Sequence, residues 1–125
     1  MSQTIKLEWD YMPPPDLRGN SRASWQEKLH IKNAYIDSAI IRLRQEDWEP
    51  MDKARITYHV YWCQKPIDRD NLHNGCKYLQ DALVHEGLLK DDNPDILLDS
   101  TFEYTRVAKK KDVRFIMEII EVEST

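Results

Sequence analysis

Four stretches of the chain have the hydrophobic and polar pattern of β-strands. The first is residues 5–9, where apolar residues alternate with charged ones. The clearest is residues 54–62, where the same alternation extends over nine positions. The other two are residues 96–107 and 113–122. We predict that these last two strands form a hairpin with a basic tip at residues 108–112.

Two other stretches have the spacing of amphipathic helices. The first begins at Ser24-Trp25-Gln26-Glu27, which has the form of a capping box, and continues through about residue 44. We expect its apolar stripe to face the core, and we expect Trp25 to be a core residue rather than a platform for base stacking. The stripe, which Lys32 interrupts, consists of Trp25, Leu29, Ile36, Ile40 and Leu43.

The second predicted helix spans residues 71–86, with Asp70 as its cap and Gly87 as its stop. At about 100° per residue its apolar and polar positions fall on opposite sides. The side expected to face the core carries Leu72, Cys76, Leu79 and Leu83. The other side carries Asp70, Asn74, Lys77 and Asp81.

The order strand, helix, strand, helix, strand, strand describes a small α/β (α+β) domain. We expect one domain over residues 1–125, with a mixed four-stranded sheet and two main helices packed on it. A chain of 125 residues is long enough for one domain with a modest core. It contains no run of about 18 apolar residues, so we expect no membrane span.

The cysteines and the N-terminal residues give an expectation for the cellular compartment of the protein. Cys63 and Cys76 fit no zinc-binding spacing, and the chain begins without the apolar block of a signal peptide. We therefore expect reduced thiols and a cytoplasmic protein.

The net charge of −4 argues mildly against a general nucleic-acid coat protein, but it does not exclude a nuclease. The basic residues are also grouped, which is compatible with either a solvated face or a phosphate-binding surface. One group comes early and one comes late in the chain: Arg18, Arg22, Lys28 and Lys32, then Arg106, Lys109, Lys110, Lys111 and Arg114.

Two acidic pairs flank the second helix. Asp68 and Asp70 are two residues apart, a spacing that in extended backbone points both carboxylates to one side. Asp91 and Asp92 follow the helix. Carboxylates held together repel one another unless a cation lies among them, and oxygen ligands suit Mg²⁺ or Mn²⁺.

The residues alone leave two interpretations open, a metal site and ordinary surface acidity with helix capping. An EF-hand is excluded at both pairs, because the required glycine and glutamate positions are not matched. His59 lies on the less apolar side of its strand, and we expect it to be structural rather than a metal ligand.

The segment around the second helix resembles the RusA-type Holliday junction resolvases, which are small endodeoxyribonucleases of bacteria and their phages. Residues 13–22 are similar to the proline-rich loop that these proteins carry after their first strand. The resemblance is specific in residues 66–92, where it rests on Asp68-Arg69-Asp70-Asn71-Leu72, Lys77, Asp81-Ala82-Leu83, Gly87 and Asp91-Asp92.

The resemblance implies a homodimer that binds four-way DNA junctions and cleaves them with Mg²⁺ by symmetric nicks, with no organic cofactor. It also makes a phage or prophage origin an expectation. It assigns catalysis to Asp68, Asp70 and Asp92, with Asp91 as an additional metal ligand and Lys77 stabilising charge on the phosphate. For DNA contacts outside the site we predict Arg18, Arg22, Arg69, Lys109, Lys110 and Lys111.

One departure from the family pattern concerns the lysine. In the best-known members it follows the second aspartate by four residues, whereas Lys77 follows Asp70 by seven. Both spacings fall on the same side of a helix. Two alternatives remain at this point: a nuclease acting on flaps, forks or RNA, and a non-catalytic nucleic-acid-binding module of the same fold.

Overall fold

The structure, a computed structural model, describes residues 2–13, 24–63 and 69–123, and residues 69–71 are described by their backbone alone. The predicted order of elements and the α+β class are confirmed. A short 3-10 turn at Lys110–Asp112 precedes the last strand. The elements are β1 Thr4–Trp9, α1 Trp25–Arg44, β2 Ala54–Trp62, α2 Arg69–Glu86, β3 Leu97–Arg106 and β4 Arg114–Glu121.

The four strands form one mixed sheet in the order β1-β4-β2-β3. β2 pairs with β3 in parallel and with β4 in antiparallel orientation, and β4 also pairs antiparallel with β1. β3 and β4 are therefore not neighbours, and the predicted hairpin is wrong. The burial of the two strands gives the reason. Phe115, Met117 and Ile119 of β4 are fully buried and suit a central strand, whereas β3 is mostly exposed or half-buried and suits the edge.

Both helices lie on the apolar side of the sheet. α1 runs parallel to α2, because the Lys32 ammonium lies 5.3 Å from the centre of the Tyr78 ring and Arg44 forms a bidentate pair with Glu86 at 2.9 and 3.0 Å. In the described part of the chain, no helix combines the length and the apolarity needed to cross a membrane. The largest fully buried side chains of the core include Trp9, Tyr58, Phe115, Leu7 and Leu43.

The start of α1 differs from its prediction. The Ser24 hydroxyl accepts a hydrogen bond from the Glu27 amide at 3.2 Å, as expected for the cap, and Leu43 is fully buried. Trp25, however, is 70% exposed and Leu29 is 44% exposed, so their expected place in the core is wrong. The fully buried residues of α1 are Tyr35, Ala39 and Leu43, and of these only Leu43 belongs to the predicted stripe. Ile36 and Ile40 are half-buried, so the buried side of the helix is rotated from the predicted one.

α2 has the two sides that its sequence predicts. The four apolar positions of the expected core face, Leu72, Cys76, Leu79 and Leu83, are all fully buried. Gly87 has a φ of +86°, the left-handed conformation that ends many helices. The helix begins at Arg69, so Asp70 lies in its first turn and is not the residue before it.

The opposite side of the sheet is polar and internally paired. His59 lies between two carboxylates, with Nε2 3.1 Å from Glu118 and Nδ1 3.3 Å from Glu103, which agrees with the structural role expected for it. Further pairs join neighbouring strands: Lys6 with Glu118, Arg55 with Asp99 and Arg114 with Glu8. Cross-strand pairs of opposite charge stabilise a solvent-facing sheet side of this kind.

Candidate nucleic-acid and metal site

The parallel pairing of β2 and β3 gives the sheet two chemically different ends. At one end, β2 and β3 both finish, and the Val107 amide donates to the Trp62 carbonyl at 3.0 Å. β4 begins there, with Arg114 opposite Tyr61. Both helices begin toward this end, because they run parallel to each other and the segment just past α2 lies at the other end, where the Leu88 carbonyl accepts from the Met51 amide. We call this the basic end and define it by Arg106, Lys109, Lys110, Lys111 and Arg114.

At the other end, β2 and β3 begin. The Met51 amide donates to the Leu88 carbonyl at 2.8 Å, and the Ala54 amide donates to the Ile96 carbonyl at 2.9 Å. These bonds hold the segment that follows α2 beside the start of β2. Lys53 is also at this end, but acidic residues outnumber the basic ones. We call it the acidic end and define it by Asp52, Asp91, Asp92, Asp95 and Glu121.

The loop at the acidic end is held by its own side chains. The Asp91 carboxylate accepts from the Asp92 amide at 2.7 Å and from the Asn93 side-chain amide at 3.0 Å. The hydrogen bond from the Asp92 amide, followed by the one from Asn93, lowers the pKa of Asp91. The Asn93 side chain in turn accepts from the Asp95 amide at 3.0 Å. Asp91 therefore organises the loop, and Asp92 is its exposed neighbour.

The predicted residues of the basic end are described in part. Asp70 occupies the second position of α2, and Lys77 is exposed on the same side of the helix by phase. The seven helical steps from Asp70 to Lys77 span about 10 Å along the axis, and lysine side chains on a helix lean toward its start. Asp68, Arg18 and Arg22 lie outside the described residues, as does the side chain of Arg69.

The two acidic pairs are far apart within one chain. Asp70 and Glu86 lie at opposite ends of α2, and the 16 helical steps from one to the other span about 24 Å. Asp91 and Asp92 lie beyond Glu86. Two aspartates that bind one Mg²⁺ have Cα atoms no more than roughly 11 Å apart, given metal–oxygen distances near 2.1 Å. The single four-carboxylate cluster suggested by the sequence is therefore not formed within one chain.

The donor types fit a hard cation. Among the residues whose side chains are described, no three or more histidine, cysteine, aspartate or glutamate residues are close enough together to hold a metal ion. Asp68 and the Asp70 side chain lie outside that group, and both would supply oxygen ligands, which Mg²⁺ prefers. A thiol ligand is not favoured, because burial raises the pKa of Cys76.

Two residues outside the predicted site set lie at the basic end. Arg114 is exposed, and its guanidinium lies 5.4 Å from the centre of the Tyr61 ring. Trp25 is in the first turn of α1, which begins at the same end as α2. The position of Arg114 just after the run of lysines at residues 109–111 could have indicated that it lies at the same end of the sheet. Nothing in the apolar spacing of α1 indicated that Trp25 would be exposed.

No protein-family model matches the chain, and no curated protein matches it significantly. The functional argument therefore depends on the residues and on where the fold places them.

Proposed function

We propose that this protein is a Mg²⁺-dependent, structure-selective endodeoxyribonuclease that resolves four-way DNA junctions by paired symmetric nicks. The observation that supports the proposal is the convergence at the basic end. The Asp68–Asp70 segment leads into α2 at the same end of the sheet at which Lys109, Lys110 and Lys111 are exposed. A phosphate backbone drawn to these lysines would lie next to the carboxylates that the chemistry requires.

Asp68 and the residues of α2 have separate roles in this proposal. Asp68 and Asp70 would hold the cation, and Mn²⁺ would be able to replace Mg²⁺. When bound, the cation polarises the scissile phosphate and makes water a better nucleophile at neutral pH. Lys77 places its ammonium near the phosphate and stabilises the negative charge that develops there. The buried side of α2 anchors the helix that carries Asp70 and Lys77 to the core.

The basic end, rather than the open side of the sheet, is the surface that we propose for DNA. The strand residues of the open side already pair with one another, as in Lys6 with Glu118 and Arg55 with Asp99. Binding a polyanion there would require breaking those pairs. The lysines at residues 109–111 are exposed and lie at the end of the sheet at which α2 begins.

We also propose a cytoplasmic location. Cys63 and Cys76 are both free, and unpaired cysteines are typical of proteins in a reducing compartment.

The proposal is tested by cleavage of a synthetic four-way junction with Mg²⁺. We expect wild type to produce paired nicks, and Asp70→Asn to lower the cleavage rate by about 100-fold or more. Asp37→Asn, on the exposed side of α1, is the matched control and should cleave like wild type.

Other outcomes would point to the alternatives. Equal rates for wild type and Asp70→Asn would remove Asp70 from the site. Efficient cleavage of linear duplex or RNA would indicate a broader nuclease. If wild type cuts no branched DNA with either Mg²⁺ or Mn²⁺, a non-catalytic binding module would be the better assignment.

A further inference from the structure

The first two turns of α1 expose two large apolar side chains. Trp25 is 70% exposed and Leu29 is 44% exposed. Further along the helix the same side is buried, because Leu43 follows Trp25 by a whole number of turns and is fully buried. The start of α1 therefore carries an apolar surface that the part of the chain described by the structure does not fully cover.

The contact between the two helices shows where this surface lies. Lys32 follows Trp25 by two turns, so both are on one side of α1, and the Lys32 ammonium lies 5.3 Å from the centre of the Tyr78 ring on α2. Trp25 is about 10 Å before Lys32 along α1, and Arg69, the first residue of α2, is about 14 Å before Tyr78. Because the helices are parallel, Trp25 lies within about one turn of the level at which α2 begins.

The charges on this side of α1 suit a polyanion. Lys28 and Lys32 follow Trp25 by three and seven steps, so both lysines share its side. Glu27 is the one acidic residue between positions 24 and 34, and its helical phase places it on the opposite side. An aromatic ring flanked by cations is typical of surfaces that bind unpaired nucleic acid, whereas lysine is depleted from protein–protein interfaces.

We propose that Trp25 stacks on an unpaired base of the bound DNA, with Lys28 contacting a neighbouring phosphate. The inference rests on the DNA-binding part of the proposed function. Every base has a π face, so this contact would select unpaired over paired bases without reading sequence. The branch point of a junction interrupts the base stack, which lowers the cost of exposing a base there. Trp25 would therefore favour branched DNA over linear duplex.

Two DNA duplexes of equal charge test the contact. One has a bulge of unpaired thymines, and the other has abasic residues at the same positions. Binding is measured by fluorescence anisotropy in EDTA, so that Mg²⁺-dependent cleavage does not occur. Wild type should bind the thymine bulge at least about fivefold more tightly than the abasic bulge. Trp25→Ala should bind the two equally.

Three further variants separate stacking from charge and from general apolar contact. Trp25→Phe keeps an aromatic ring and should retain most of the preference for the thymine bulge. Lys28→Gln removes a charge but no ring, so it should weaken binding to both duplexes by the same factor. The matched control is Ile41→Ala, which removes another exposed apolar side chain of α1 and should bind like wild type. Circular dichroism confirms that each variant is folded.

Tryptophan fluorescence reports the stacking directly, because a base stacked on an indole ring quenches its emission. The chain has four tryptophans, so the emission of Trp25 is the difference between wild type and Trp25→Phe. This difference should decrease when the thymine bulge binds and should change little when the abasic bulge binds.

Two results would overturn the proposal. One is equal affinity of wild type for the two bulges. The other is a loss of affinity in Trp25→Ala that is the same for both, since such a loss involves no base. In either case, a contact with another protein would be the better assignment for Trp25 and Leu29.

The two proposals can fail separately. If wild type cleaves junctions but does not distinguish the bulges, the nuclease assignment stands and the stacking contact is wrong. If wild type distinguishes the bulges through Trp25 but cuts no branched DNA, the stacking contact stands and the nuclease assignment is wrong. A wild-type protein that binds neither duplex and cuts no junction overturns both.

Discussion

The two ends of α2 differ in what surrounds them, although both carry acidic residues that the sequence groups together. The start of the helix lies at the basic end, the end of the sheet at which the lysines at residues 109–111 are exposed. Its finish leads to an acidic loop in which Asp91 is fixed by Asp92 and Asn93. The helix therefore keeps two chemically different regions about 24 Å apart.

This difference shows that closeness in sequence and helical phase do not establish a shared site. Asp70 and Lys77 share a side of α2, and their relationship depends on the helix alone. Asp70 and Asp92 are related through the crossover between β2 and β3, which sends the chain to the far end of the sheet. A single site that included both acidic pairs would therefore need more than one chain.

The largest expected effect concerns the core that keeps the two ends apart. Leu79 is fully buried on α2, so Leu79→Ala should lower the free energy of unfolding by about 3 kcal/mol. Asp81, exposed on the opposite side of the helix, is the matched control, and Asp81→Ala should change stability by no more than roughly 0.5 kcal/mol. Urea denaturation measures both. Similar losses for the two variants would contradict the two-sided character of α2.

The next expected effect concerns DNA binding at the basic end. Replacing Lys109, Lys110 and Lys111 with glutamine should weaken junction binding by about tenfold or more. It should also flatten the salt dependence, by roughly 0.9 in log–log slope for each phosphate that is no longer neutralised. The control replaces Lys53 and Lys90, exposed at the acidic end, and should leave binding near wild type. Fluorescence anisotropy over a salt series measures the slopes. Equal weakening in both variants would mean that the two ends do not differ in DNA binding.

A smaller effect is expected at the finish of α2. Gly87 has a φ of +86°, and a Cβ added there would meet nothing within 4 Å. Gly87→Ala should therefore destabilise the fold by about 1–2 kcal/mol through backbone strain alone. Gly87→Asn should cost less, since asparagine tolerates this conformation better. Thermal unfolding ranks the variants, and equal destabilisation by the two would argue against backbone strain as the cause.

The smallest effect is a pH dependence at the same end of α2. The hydrogen bonds from Arg44 lower the pKa of Glu86 below its ordinary value of 4.5. A lowered folded pKa contributes stability that is present above the ordinary value and is lost as pH falls through the folded pKa. Glu86→Gln should therefore lower Tm slightly at neutral pH. Because the Arg44 side chain is 68% exposed and solvent screens the pair, the difference from wild type should be small and should vanish in acid. A difference that grows in acid would contradict this account.

The local pattern of hydrophobic and polar residues predicted much of the fold, because its repeat distinguishes strands from helices. The strand at residues 54–62 was found at its observed bounds, and the buried side of α2 was correct at Leu72, Cys76, Leu79 and Leu83. Gly87 was predicted to end α2, and it has the left-handed conformation that glycine favours at this position. Each of these features depends on residues within a few positions of one another.

Features that depend on distant parts of the chain were not predicted. Trp25 has the same helical phase as the buried Leu43, but it is exposed. Whether a turn of a helix is buried depends on how far the sheet and the neighbouring helix extend beneath that turn. β3 and β4 are consecutive, yet β2 lies between them; the fully buried residues of β4 suit an interior strand, whereas the exposed and half-buried residues of β3 suit the edge.

The site divides in the same way. The aspartates, Lys77 and the basic run could be selected from residue type and spacing, because charge and donor chemistry are properties of the residues themselves. Which of them lie together was decided by the strand order. The parallel pairing of β2 with β3 brings the lysines at residues 109–111 to the end of the sheet at which α2 begins, and it sends Asp91 and Asp92 to the far end. Strand order is a choice among long-range pairings that bury similar apolar surface, so only the packed tertiary structure determines it.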